Sequence, residues 1–295
     1  MPLPAPPHIE DFFERGSGLK LLLRGHPYDF VDTYAVLRHA YGYRGHHVNL
    51  GFWDDGLLAP AGYEDAGARL LRWVCARGGL QPGARVLDVG SGLGQAAVDL
   101  LQQHGAREVV GININARQLR FANALAAAAG CADRVSHHQV DACTSIEASV
   151  SRQAFDAVFA VECVGHFKDP DGFLRGVRHA LAPGGVFVCC MNVARAPVTP
   201  SLRTMLRATY GFVPATMDLW RTRLQSHGLS VVEHGDITDA VLARGTAFAR
   251  TRLRDEAVQA ALPALTRALV HGQLAITARA VAAGSLGYAW LVARA

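Results

Sequence analysis

Paired cysteines are absent from this sequence. Its six, Cys75, Cys131, Cys143, Cys163, Cys189 and Cys190, make no C-x-x-C motif and no zinc spacing. In a chain of 295 residues that excludes a disulfide scaffold and reads as buried, reduced thiols. Charge is sparse too: 18% of residues carry one, the formal net charge is +4, and no Lys/Arg run builds a strong field. Nucleic acid is therefore not an expected partner. The apolar stretch Gly185 to Ala194 falls well short of the roughly 20 residues of a membrane-spanning helix. The opening Met1-Pro2-Leu3-Pro4-Ala5-Pro6-Pro7 breaks helices and lacks the basic start and apolar run of a signal peptide, so a cytoplasmic location is expected.

Apolar residues are plentiful, at 50% of the chain. That supports one large buried core or two small ones and excludes a disordered chain. From Arg85 onward, apolar runs alternate with helical spacing. Strands are expected at Arg85–Val89, Glu108–Asn113, Val135–Val140, Phe155–Val161 and Gly185–Met191. Helices are expected at Gln95–His104, Ala116–Ala129 and Asp171–Ala180. Such β-α repetition predicts a parallel sheet with right-handed crossovers and helices on both faces. A later strand pair, Leu229–Glu233 and Leu286–Ala293, brackets a long helical stretch interrupted at Pro263. Residues 61–295 form the expected core, after a helical cap over 1–60 that leaves a helix at Tyr63–Arg77. Residues 192–228, with Pro197, Pro200 and Pro214 among aromatics, are expected as an inserted lid.

The most informative segment is Val86-Leu-Asp-Val-Gly90-Ser-Gly92-Leu-Gly94. A strand enters a glycine turn and then a helix, and glycine lets backbone approach a ligand closely. In a doubly wound sheet this turn lies at the carboxyl end of the first strand, where ligands bind. A dinucleotide G-x-G-x-x-G would need glycine at position 95, which is Gln95, and no Walker lysine follows. A plain structural turn without a ligand is the alternative reading of these residues.

The G-x-G-x-G spacing, with Asp88 two residues before it, resembles motif I of class I S-adenosylmethionine-dependent methyltransferases. Further segments agree in order. Val110 to Asn123, with Asn113, Ile114 and Gln118, resembles the "G-I-T-L-S-x-x-Q" stretch of the small-molecule subgroup, which includes tocopherol, sterol, sugar and cyclopropane-fatty-acid synthase-like enzymes. Val140-Asp141-Ala142 resembles its adenine-binding segment, Ala160–Asp169 its "E-S-x-x-H-x-x-D", and Ala180–Gly185 its "L-x-P-G-G". His47–Trp53 resembles "N-x-H-x-G-Y-W", and Trp220–Thr238 the late helix-strand.

The resemblance implies a Rossmann-like, doubly wound, mostly parallel seven-stranded sheet with an antiparallel last strand, and S-adenosyl-L-methionine as cofactor. It implies that Asp88, Gly90, Gly92 and Gly94 hold the methionyl part and that Asn113, Ile114 and Gln118 meet the ribose. Asp141 and Ala142 then face the adenine, Tyr43 reaches the carboxylate, and Glu162 lies near the sulfonium. Asn113 stands where many class I enzymes carry an acid. His166, just past the fourth strand, is the expected general base, because imidazole titrates in the useful range. Glu162 is the second candidate. Phe52, Trp53, His166, Phe167, Tyr210, Phe212 and Met217 are expected to line an oily acceptor pocket. Arg203 and Arg207 share a helix face and read as solvated. His46-His47 and His137-His138 look like metal pairs but lack a third ligand, so no metal is expected. O-methylation of a small hydrophobic acceptor is the expected reaction. C-methylation with Glu162 as base, or a cyclase with a structural cofactor, are the alternatives. An NAD-dependent oxidoreductase is disfavoured by Gln95, and a homodimer stays open.

Overall fold

The computed structural model describes residues 46–53, 62–196, 198–261 and 264–295. Tyr43 and most of the cap expected over 1–60 lie outside them. Helix α1 (Gly62–Gly78) leads into β1 (Arg85–Val89), α2 (Gln95–Gln102), β2 (Glu108–Asn113), α3 (Ala116–Ala128) and β3 (Val135–Gln139). There follow α4 (Ile146–Ser149), β4 (Phe155–Val161), a 3-10 turn (Val164–His166), α5 (Pro170–Ala180) and β5 (Leu181–Ala194). Then come α6 (Pro200–Tyr210), α7 (Met217–Ser226), β6 (Ser230–Asp236), a π-turn (Asp239–Ala243), α8 (Arg244–Arg252), α9 (Glu256–Ala261), α10 (Ala264–Ala282) and β7 (Leu286–Arg294).

Seven strands form one sheet in the order β3-β2-β1-β4-β5-β7-β6. The pairs from β3 through β5 are parallel, and β7 runs antiparallel to both β5 and β6. Strand residues alternate between two apolar layers. On β4, Ala157 and Phe159 join one layer with Leu70, Val74, Leu100 and Phe121. Val158 and Ala160 join the other with Phe173, Leu174, Val177 and Leu224. Burial on both faces is why the parallel strands read as continuous apolar runs, and each fully buried Leu or Phe contributes about 1.5–3 kcal/mol. Local chemistry sets the helix starts. Asn115 caps α3 by accepting from the Arg117 and Gln118 amides at 2.9 and 3.2 Å. Asp169 caps α5 by accepting from the Gly172 amide at 2.8 Å, with Pro170 in the first turn.

One expectation is corrected. Strand β5 begins at Leu181, which pairs with Phe155, rather than at Gly185; the register shift between Phe155 and Ala157 absorbs Pro183 and Gly184. The segment expected as a lid holds two helices with different neighbours. Helix α7 packs Trp220 and Leu224 into the second layer and belongs to the core. Helix α6 instead leans on the helices inserted between β6 and β7, where the Tyr210 hydroxyl shares a hydrogen bond with Thr277 of α10. Among the described residues no helix is long and apolar enough to cross a membrane.

Candidate active site

The chain runs from β1 outward through β2 and β3, then returns to place β4 on the other side of β1. Strand order therefore reverses between β1 and β4, and open α/β sheets bind ligands in the crevice outside that point. The glycine loop fills its floor. Gly90, Gly92 and Gly94 have φ of 72°, 53° and 83°, a region side chains rarely adopt. A Cβ on Gly90 would lie 2.5 Å from that of Cys163, and one on Gly94 2.7 Å from that of Ala122. A Cβ on Gly92 would meet nothing nearer than the Gly90 carbonyl at 3.9 Å. Packing thus demands glycine at 90 and 94, whereas Gly92 borders open space.

Unsatisfied polar atoms lie in and beside the loop's flanking elements. Asp88 Oδ2, Ser91 Oγ and Gln118 Nε2 are buried without a partner among the described residues. Desolvation lifts the Asp88 carboxyl from 3.8 to about 7. Asn113 and Gln118 are brought together: Asn113 Nδ2 donates to Gln118 Oε1 at 2.6 Å, and Asn113 Oδ1 accepts from the Ile114 amide at 2.9 Å. The Ile114 side chain is exposed. Asp141 Oδ1 accepts from the Cys143 amide at 2.8 Å in a tight turn after β3, with Ala142 buried beside it. Below the loop lies His137 of β3. It is 5% exposed, neither ring nitrogen has a partner among the described residues, and burial lowers it to about 4. Orphaned donors and acceptors beside an open glycine fit a polar nucleoside ligand, since a buried polar group without a partner is costly.

At the end of β4, Glu162 has φ of 61°, which for a non-glycine residue costs on the order of 1–3 kcal/mol. Its Oε1 accepts from the Leu50 amide at 2.9 Å and the Tyr288 hydroxyl at 2.8 Å. Desolvation raises the carboxyl to about 7, outweighing the lowering from those two bonds. Four residues on, His166 packs edge-on against Phe212 at 4.8 Å, and Phe212 lies 5.9 Å from Tyr210. Burial lowers His166 to about 4, so its imidazole is neutral near pH 7.

The other expected pocket residues have other neighbours. Trp53 is 1% exposed in a separate cluster with Phe248, Leu253 and Val258, and its indole N–H donates to the Leu50 carbonyl at 2.7 Å. Phe52 stacks on Trp73 at 5.6 Å. Phe167 packs on Phe173 at 4.7 Å, and Met217 at the start of α7 lies against the second layer. His166, Tyr210 and Phe212 are the three that meet. Sequence reasoning missed Tyr288 and the Leu50 amide, because both reach Glu162 only through the fold. Among the described residues no group of three or more His, Cys, Asp or Glu is placed to hold a metal ion.

Sheet order, glycine loop and orphaned polar crevice define the class: a Rossmann-like enzyme with a class I methyltransferase architecture. A family model described as "Methyltransferase domain" matches residues 80–233, just over half of the chain, and the chain belongs to that family. It is an S-adenosyl-L-methionine-dependent methyltransferase of small-molecule type. Methyltransferase GfsG of Streptomyces halstedii is 27% identical over 206 residues, 68% of this chain and 72% of that one. O-methyltransferase resE of Aspergillus sclerotiorum is 28% identical over 198 residues, 66% of this chain and 72% of that one. The crystal structure of the cyclase SpnF aligns with a TM-score of 0.69 at 22% identity, over 99% of this chain and 97% of that one, a likeness of fold alone.

Proposed function

We propose that this enzyme methylates a hydroxyl of a small, apolar, natural-product-like acceptor, and that His166 takes the hydroxyl proton. The observation that carries the reading is the contact between His166 and Phe212. A neutral imidazole just past the end of β4 meets an aromatic ring just past the end of α6. The relative resE, named an O-methyltransferase, supports the same chemistry.

Bound S-adenosyl-L-methionine supplies a methyl group activated by its sulfonium. Asp88, Gly90, Gly92 and Gly94 would cradle the methionyl part, and Gln118 with Asn113 would hold the ribose, with Ile114 as a further cofactor contact. Asp141 and Ala142 would meet the adenine and Glu162 the positive sulfur; Tyr43, expected at the carboxylate, lies outside the described residues. Tyr210 and Phe212 exclude water and hold the acceptor in line, which converts binding into rate. His166 would accept the hydroxyl proton on a ring nitrogen as the methyl group passes from the sulfonium to the acceptor oxygen. Because His166 is lowered to about 4, it is already in the accepting form at neutral pH. Replacing His166 with alanine is expected to reduce kcat about 10²- to 10⁴-fold while cofactor affinity stays unchanged. An unaltered kcat overturns the assignment.

A second reading, C-methylation with Glu162 as base, is favoured by a carboxyl held at about 7, near operating pH. It predicts a product with the new methyl on carbon and a rate abolished by Glu162→Gln but not by His166→Ala.

A further inference from the structure

Glu162 is fixed from three directions. Its own amide donates to the Cys190 carbonyl of β5 at 2.9 Å. Its Oε1 takes the Leu50 amide from the 46–53 segment and the Tyr288 hydroxyl from β7. Oε2 accepts no hydrogen bond among the described residues, and it is not among the sealed, unsatisfied atoms. Tyr288 is held more rigidly still. It is wholly buried in the first apolar layer. Its amide donates to Thr238 Oγ1 at 2.8 Å, and its carbonyl accepts from the Ile237 amide at 2.9 Å. The phenol reaches past β5 to the carboxylate, joining residues 126 apart in sequence. A side chain in a left-handed backbone would otherwise sample several rotamers. Two donors on one oxygen select a single one.

We infer that Tyr288 is a positioning residue for the reaction: with the Leu50 amide it commits Oε1 of Glu162 and leaves Oε2 to face the cofactor's sulfonium as one oriented negative charge. This rests on the reading that Glu162 lies beside the sulfonium. Three observations favour a cleft-facing carboxylate. Glu162 stands at the carboxyl end of β4. Its neighbour Cys163 touches the glycine loop at Gly90. Its second oxygen has no competing donor among the described residues. The titratable groups facing Glu162 are Tyr288 on β7, Cys190 on β5 and Cys163 beside it. Burial raises all three above their ordinary values, so none is charged near neutrality. The charge that the site presents to a sulfonium from this side is then that of Glu162, and Asp88 faces the same loop through Cys163.

The test is calorimetric titration of the full chain with S-adenosylmethionine and with uncharged S-adenosylhomocysteine, below and above neutrality. Wild type should prefer the sulfonium ligand at high pH and lose that preference as the pH falls through about 7, where Glu162 is protonated. Tyr288→Phe keeps the ring and removes one donor to a charged acceptor. It should weaken S-adenosylmethionine about tenfold, leave S-adenosylhomocysteine within about twofold, and move the inflection to higher pH. Glu162→Gln should abolish the pH-dependent preference. Thermal melting establishes that each variant is folded. If Glu162→Gln loses the preference while folded Tyr288→Phe matches wild type for both ligands and at every pH, the role of Tyr288 is refuted and that of Glu162 stands. If wild type shows no pH-dependent preference, both are refuted.

Discussion

His47 Nε2 lies 2.7 Å from Asp99 Oδ2, and both side chains are only 6% exposed. Asp99 sits on α2, the helix that starts directly after the glycine loop, and its Oδ1 also accepts from Gln95 and Gln103 at 2.8 and 3.1 Å. The 46–53 segment is therefore anchored at one end to the helix behind the cofactor loop. Through the Leu50 amide it is anchored at the other to Glu162.

Breaking the first anchor should loosen the second. His47→Ala leaves Asp99 two amide donors, so the expected loss is about 2 kcal/mol, at the lower end for disrupting a buried charged hydrogen bond. Urea unfolding checks this: the midpoint should fall with little change in slope. An unchanged midpoint means the pair holds nothing.

Gly92→Ala separates folding from binding. The added Cβ meets open space, so the fold should lose only about 1 kcal/mol from the left-handed backbone. Cofactor binding, measured by calorimetry, should drop at least tenfold, because the methyl occupies the cradle. Gly90→Ala, 2.5 Å from Cys163, should instead damage the fold itself. Wild-type affinity in Gly92→Ala would place the cofactor elsewhere.

Acidity should act on the cofactor-free enzyme in two opposed ways. Asp88 is raised from 3.8 to about 7, so its favourable contribution is full below the unfolded value and lost as pH rises through about 7. His137 is lowered from 6.5 to about 4, so its contribution is full above the unfolded value and lost as pH falls through about 4. Asp88→Asn removes the first effect. Unfolding free energies across this range should show the variant more stable than wild type above pH 7, by a few kcal/mol, yet defective in cofactor binding. Equal stability at high pH would mean Asp88 is not desolvated.

Tyr210→Phe should release α6 from Thr277 of α10. One neutral hydrogen bond is worth about 1 kcal/mol, so acceptor KM should rise about fivefold with cofactor affinity unaltered. A change confined to cofactor affinity would contradict a covering role for α6.

The strands were legible where both faces are buried: Arg85–Val89, Glu108–Asn113 and Phe155–Val161 have the same limits in sequence and structure. The apolar runs there admit one period, and glycine or polar turns bound them. The glycine loop was legible because its backbone demands a residue without Cβ. The pair Asn113 and Gln118 lies within one turn of chain and was legible too. What was not legible spans long separations. His47–Asp99 and Glu162–Tyr288 join elements whose approach only the completed fold determines. Trp53 and Met217 look alike as pocket walls or core, since aromatic and thioether side chains suit either. The prolines around helix α7 mask how deeply Trp220 and Leu224 pack.

The most direct test uses cofactor labelled with carbon-13 in its methyl group and a panel of phenols and apolar alcohols, with products read by mass and carbon NMR. The account predicts products heavier by one labelled methylene, with the label bonded to oxygen. A label bonded to carbon, or a product of unchanged mass, would contradict it.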